Sequence, residues 1–168
     1  MTMEVLTPTR TLTVAWEDPA IGVTAGRGMR GIDYLRAMAN GELPPPPIGQ
    51  LLGIQILEVD EGRVVFGAVP GEQHYNPLGT VHGGLAATLF DSAMGCAVLS
   101  TLPAGSTFTT LEIKVNFVQP MTRDTGLVRC EARVVHAGSR ISTAEAKLAD
   151  AAGKLYGHAT TTCMILRS

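Results

Sequence analysis

Residues 81–101 read VHGGLAATLFDSAMGCAVLST, and this stretch decides the fold. The run is too long for a strand and has no internal proline, so it predicts a helix, apolar on all sides and therefore buried. Pro103-Ala104-Gly105 stops it. A buried helix needs a covering layer, and the flanking sequence supplies strands. Upstream, GIQILEVDEGRVVFGAV (53–69) reads as two strands about the turn Asp60-Glu61-Gly62, with Ile54, Ile56 and Val59 facing inward. Downstream, Leu111, Ile113, Val115 and Phe117 alternate with polar residues, the period-two pattern of a half-buried strand. GLVRCEARVVHAG, RISTAEAKLADAAG and KLYGHATTTCMIL follow as strands divided by Gly138 and Gly153. AEAKLADA has helical propensity, but Gly-Ser-Arg before it and Ala-Gly-Lys after it read as hairpin turns. Two strands, one buried helix and consecutive hairpins imply an α+β chain, with an antiparallel sheet wrapped around a helix.

Residues 1–26 are irregular in pattern and hold the single tryptophan, Trp16. They read as an extension that packs on the body or stays loose. IDYLRAMAN (32–40) predicts a short helix stopped by Gly41, and the four prolines at 44–47 force an extended segment. The expected division is 1–47, an N-terminal extension with a short helix and a Pro-rich linker, and 48–168, the main domain.

The chain's 168 residues suit one domain with a sizeable core. A 45% hydrophobic and 17% charged composition excludes disorder. A net charge of −2 gives no electrostatic draw toward nucleic acid or an anionic membrane. Cys96, Cys130 and Cys163 are odd in number and widely spaced, without a CxxC or Cys/His cluster, so neither a zinc site nor a disulfide framework is expected. The N-terminus lacks a signal-peptide pattern, and the uncharged run after Asp91 is broken by Pro103 and Gly105, so no membrane span is implied. A cytoplasmic protein is expected.

Gly26-Arg27-Gly28-Met29-Arg30-Gly31 matches GxGxxG. It lacks the preceding strand, full-length helix and crossover of a dinucleotide site, so a glycine-rich connection is the better reading. His82-Gly83-Gly84 falls where the buried helix begins. Glycines there either make a tight turn or present bare N–H donors to an anion or a developing oxyanion. Asp91 is the one formally charged side chain between Glu72 and Glu112. A lone carboxylate in such a helix is costly unless paired, hydrated or set in a cleft. It reads either as a cap on a neighbouring strand or as a desolvated base or nucleophile. Gly83 and Asp91 are eight residues apart, about 12 Å along one helix. A reacting atom should lie about 3 Å from both nucleophile and oxyanion donors. Two chains related by a two-fold axis satisfy this, each site taking Gly83 from one and Asp91 from the other. Asn76 is a turn residue before Pro77 by type, with an amide able to bind a carbonyl. His74, His136 and His158 have no metal-ligand spacing, and no metal site is expected.

NPLGTVHGGLAATLFD (76–91), the helix and the strand TTLEIKVNFVQP (109–120) together resemble the PaaI-type branch of the hotdog-fold acyl-CoA thioesterases, over residues 48–166. The resemblance implies a hotdog fold that dimerises through its sheet, with active sites at the dimer interface and dimers pairing into tetramers. It implies hydrolysis of an acyl-CoA or aryl-CoA thioester, without metal or cofactor, coenzyme A being part of the substrate. By position, Asp91 would be the catalytic carboxylate, as base or nucleophile, and the Gly83 N–H would hold the thioester oxygen. Gly84 would allow close approach. Asn76 and His82 would polarise or position the carbonyl, and Thr110 would orient water. Ser139 and Arg140 lie in a hairpin that in relatives is near the coenzyme A nucleotide. The alternatives are a hotdog enoyl-CoA hydratase/dehydratase and a non-catalytic acyl-CoA binder. Asn76-Pro77-Leu78 superficially resembles the hydratase motif, but no acid precedes it and His82 is delayed.

Overall fold

A computed structural model describes residues 8–167. The first seven residues of the extension and Ser168 fall outside the described residues. Three short helices come first: α1 (Ala20–Gly26), α2 (Gly31–Ala39) and α3 (Pro47–Leu52). The hairpin of β1 (Ile54–Asp60) and β2 (Arg63–Ala68) leads to the long helix α4 (Gly83–Ser100). Then β3 (Ser106–Phe117), β4 (Val128–Ala137), β5 (Ile141–Asp150) and β6 (Leu155–Arg167) complete one antiparallel sheet. The strand order is β1-β2-β4-β5-β6-β3, which leaves β1 and β3 at the edges. This is the α+β arrangement that the alternation and the buried run predict, and AEAKLADA is strand, as its flanking turns imply.

The sheet curls around α4. Leu89, Phe90, Met94 and Val98 are fully buried with Val64, Cys130 and Leu148 of the sheet. Each such apolar side chain contributes about 1.5–3 kcal/mol when buried. The small Ala132, Ala144 and Ala146 keep the strand surface low beneath the helix. On the opposite face, Arg63 reaches Glu58 at 2.7 Å, Asp60 at 2.9 Å and Glu131 at 2.8 Å. These partly exposed pairs tie the register of β1, β2 and β4 more than they add stability.

Five local expectations are corrected. Residues 20–26 form α1 where the pattern looked irregular. The four prolines do not all extend, because Pro47 occupies the first turn of α3, where its missing N–H costs nothing. Leu111, expected inward, is 52% exposed, because a bulge between Thr110 and Glu112 inserts one residue and breaks the alternation. Phe117 is 60% exposed in the chain, although its ring meets the start of α4. Finally, α4 is not buried all round. Gly84, Thr88, Ser92, Cys96 and Leu99 form a half-buried stripe, with Asp91 exposed beside it.

The N-terminal helices lie against this body. Leu35 of α2 is wholly buried in the main core. The Gly31 N–H donates to the Leu102 carbonyl at 3.0 Å, and a Cβ at Gly31 would stand 1.8 Å from the Leu99 carbonyl oxygen. The last glycine of the GxGxxG match is therefore a close helix-to-helix contact, needed because no larger residue fits.

Candidate functional site

α4 and β3 run in opposite directions and meet at three levels. Gly95 lies under the Phe108 ring, which a Cβ would approach to 2.7 Å. One turn nearer the helix start, the Thr110 hydroxyl donates to Asp91 Oδ1 at 2.9 Å. At the N-terminus, a Cβ on Gly83 would stand 3.0 Å from the Phe117 ring.

Asp91 thus finds its partner on β3 rather than on its own helix. It is exposed, so the expectation of a desolvated acid does not hold for the single chain; water and one hydroxyl compensate the charge. The carboxylate faces a cavity of about 740 Å3, which Ser92, Cys96, Phe108 and Thr110 also line. Among the described residues, Asp91 is the sole charged side chain in that lining. Burial, with the Asp91 charge second, pushes the Cys96 thiol up to about 12, so it stays protonated near neutrality and is no competing nucleophile.

The start of α4 is built by its own side chain. His82 is the N-cap, and its Nδ1 accepts the Gly84 N–H at 2.8 Å. A neutral imidazole accepting at Nδ1 carries its proton on Nε2, which remains a donor. Gly84 permits this approach, since a Cβ there would stand 2.8 Å from Nδ1. The Gly83 N–H has no hydrogen-bond partner among the described residues, and it sits at the positive end of the helix dipole. His82→Ala is expected to lower the unfolding free energy by about 1 kcal/mol, measured by urea denaturation, with His82→Asn restoring most of it.

Asn76 is engaged in the loop that precedes the helix. Its Oδ1 accepts the N–H of Leu78 at 2.9 Å and of Thr80 at 3.3 Å, and its Nδ2 donates to the Thr80 hydroxyl at 3.2 Å. That is the turn role open to this residue type, with one amide hydrogen left over. Ser139 and Arg140 form the exposed β4–β5 hairpin tip. The Arg140 carbonyl accepts the Ile165 N–H at 2.9 Å, and Ile165 pairs with Phe108. The tip therefore lies two strands, about 10 Å, from the Phe108 backbone. Arg140 has no ion pair among the described residues, and neither residue lines the cavity of Asp91.

The chain brings Asp91 and Thr110 together, and separately His82, Gly83 and Gly84. It does not bring the two groups together. Gly83 opens onto a different hollow, of about 430 Å3, bordered by Phe117, Gln119, Met121 and Tyr156. One hollow offers a carboxylate able to take a proton; the other offers a bare N–H donor suited to a developing negative charge. Sequence reasoning missed Ser92, Cys96 and Phe108. The small or polar positions of α4 at spacings of three and four were the available signal for the first two.

Residues 78–156 match the family model of the thioesterase superfamily. A phenylacetic acid degradation-related protein of Ralstonia eutropha JMP134 is 32% identical, with a TM-score of 0.71, covering 78% of this chain and 98% of that one. The Saccharolobus solfataricus protein SSO2140, named as an esterase, is 31% identical over 72% of this chain and 84% of its own. The 1,4-dihydroxy-2-naphthoyl-CoA hydrolase of Listeria monocytogenes is 27% identical over 63% of this chain and 85% of its own.

Proposed function

The chain belongs to the thioesterase superfamily, and from that premise we propose that it hydrolyses a coenzyme A thioester to the free acid and CoA at a site shared by two chains. The observation that carries this reading is the separation of two complementary half-sites along α4, Asp91 with Thr110 and the bare Gly83 N–H, in different hollows.

The shared site follows from β3. It is twelve residues long and lies at the sheet edge, with Leu111, Phe117 and Val118 exposed near or on it. A long edge strand with unpaired backbone groups is a template for pairing. Antiparallel pairing of two copies of β3 about a two-fold axis near Ile113 and Lys114 sets Phe117 opposite the partner's Thr110. Gly83, beneath Phe117, then approaches the partner's Asp91. Dimers of this kind can pair into a tetramer, since the dyad leaves the charged sheet face free.

In the reaction, Thr110 holds Asp91 Oδ1 and leaves Oδ2 to remove a proton from water. The hydroxide oxygen bonds to the thioester carbon, and the carbonyl oxygen gathers negative charge against the Gly83 N–H of the other chain. His82 Nε2–H adds a second donor there, and Asn76 acts through the loop that sets His82. The C–S bond then breaks and the CoA thiolate recovers the proton from Asp91. Gly84 maintains the cap, while Ser139 and Arg140 supply a hydroxyl and a cation for the CoA phosphates. The cycle needs no metal or further cofactor. Incubating the purified protein with acetyl-, hexanoyl-, decanoyl- and benzoyl-CoA should release one thiol for each acid formed. Hydration of an enoyl-CoA with no thiol release, or no reaction on any ester, refutes it.

A further inference from the structure

One wall of the Asp91 cavity comes from residues outside the matched family region of 78–156. Met38 ends this wall on α2, Pro45 and Pro46 continue it, and Ile48 and Gln50 complete it from α3. Ile56 and Phe66 of the sheet and Phe108 of β3 line the same cavity. The geometry points to residues 38–53 as a fixed gauge that selects the acyl group, an uncharged apolar chain or ring longer than acetyl. This rests on the thioesterase reading above for the position of the carbonyl at Asp91.

Three observations carry it. Among the described residues the cavity lining contains no Lys, Arg or His to match the phosphates of CoA, and the apolar wall suits hydrocarbon. Asp91 is the one charge among the described residues of the lining, and it would repel an acyl group ending in a carboxylate. The volume of about 740 Å3 lies among pockets that enclose ligands much larger than a two-carbon acyl group.

The wall is also anchored, so it measures rather than closes. Leu35 fixes α2 in the core, and α3 ends on Gly53 at φ +64°, a left-handed cap that turns the chain directly into β1. At Gly49 a Cβ would lie 3.2 Å from the Ile54 carbonyl oxygen, so α3 sits close on the start of β1. Ile48, by contrast, borders the cavity yet is 48% exposed, so a larger side chain there narrows the space without displacing core.

The test compares Ile48→Trp with Ile21→Trp, a control of similar exposure at 46% that does not line the cavity. Two readouts are taken: the ratio of kcat/KM for decanoyl-CoA over acetyl-CoA, and calorimetric affinities for the non-hydrolysable thioethers S-decyl-CoA and S-ethyl-CoA. Ile48→Trp should lower both the decanoyl/acetyl ratio and the S-decyl preference by about tenfold, and Ile21→Trp should move neither. The wild-type protein should also turn over hexanoyl-CoA about tenfold faster than its counterpart with a terminal carboxylate, adipoyl-CoA. An equal fall for short and long ligands, or wild-type S-decyl-CoA binding no tighter than S-ethyl-CoA, overturns the gauge. Absent turnover with an S-decyl preference that still follows residue 48 would refute the hydrolase and leave the gauge standing.

Discussion

Asp91→Asn is expected to lower kcat by about 10²–10⁴-fold, the range a positioned general base supplies. The unfolding free energy should change by no more than about 0.5 kcal/mol, as for other exposed positions. The two expectations separate because the side chain has two separable roles. Its Oδ1 accepts the Thr110 hydroxyl at 2.9 Å, and an amide oxygen accepts the same bond. Its other oxygen is the proposed proton acceptor, a role an amide cannot fill. KM should stay close to wild type, because the lost interaction develops only in the transition state. A single turnover in ¹⁸O-water distinguishes direct from covalent attack. Base catalysis puts the label in the product acid, whereas hydrolysis of an anhydride at the Asp91 carbonyl carries it into the protein. Equal turnover by the two proteins ends the assignment of Asp91.

The fold was legible from sequence where one physical signal dominated. The run after His82, charged only at Asp91, is apolar enough to demand a largely buried helix, and Leu-Glu-Ile-Lys-Val-Asn-Phe alternates as only a half-buried strand does. Leu111 shows where that signal stops. A bulge adds one residue without altering the alternation of types, so the letters continue in phase while the side chains do not. α1 was missed because a seven-residue helix of mostly small residues has too few turns to show a period. The site divided in the same way. A solitary acid in a helix is conspicuous, so Asp91 stood out. Thr110 was reachable only through the family resemblance, since its bond to Asp91 closes nineteen residues of separation. The cavity wall at Met38 and Ile48 was beyond reach, because it faces α4 across more than forty residues of chain.

Gly83→Pro is expected to remove the proposed oxyanion donor and little else. Position 83 is the first residue of α4, where proline is well accommodated and its missing N–H breaks no intrahelical bond. His82 before it is already extended, at φ −62° and ψ 134°, as a residue preceding proline prefers. The added ring atoms press on Phe117, whose ring is exposed enough to yield. Loss of one such donor should cost about 10²–10³ in kcat. Gly83→Ala makes the same contact with Phe117 but keeps the N–H, so it should retain most of the activity and isolate the donor from the steric effect. The larger consequence comes from mixing. If each site takes Gly83 from one chain and Asp91 from the other, a heterodimer of Gly83→Pro and Asp91→Asn chains has one doubly damaged site and one intact site. Unfolding and refolding the two inactive proteins together at equal concentration makes half of the dimers mixed, and about a quarter of wild-type activity should return. Were both groups used within one chain, every site in every dimer would carry a lesion and no activity would return. Recovery therefore tests the β3 dyad and the two-chain site at once, because neither residue alone can restore the other.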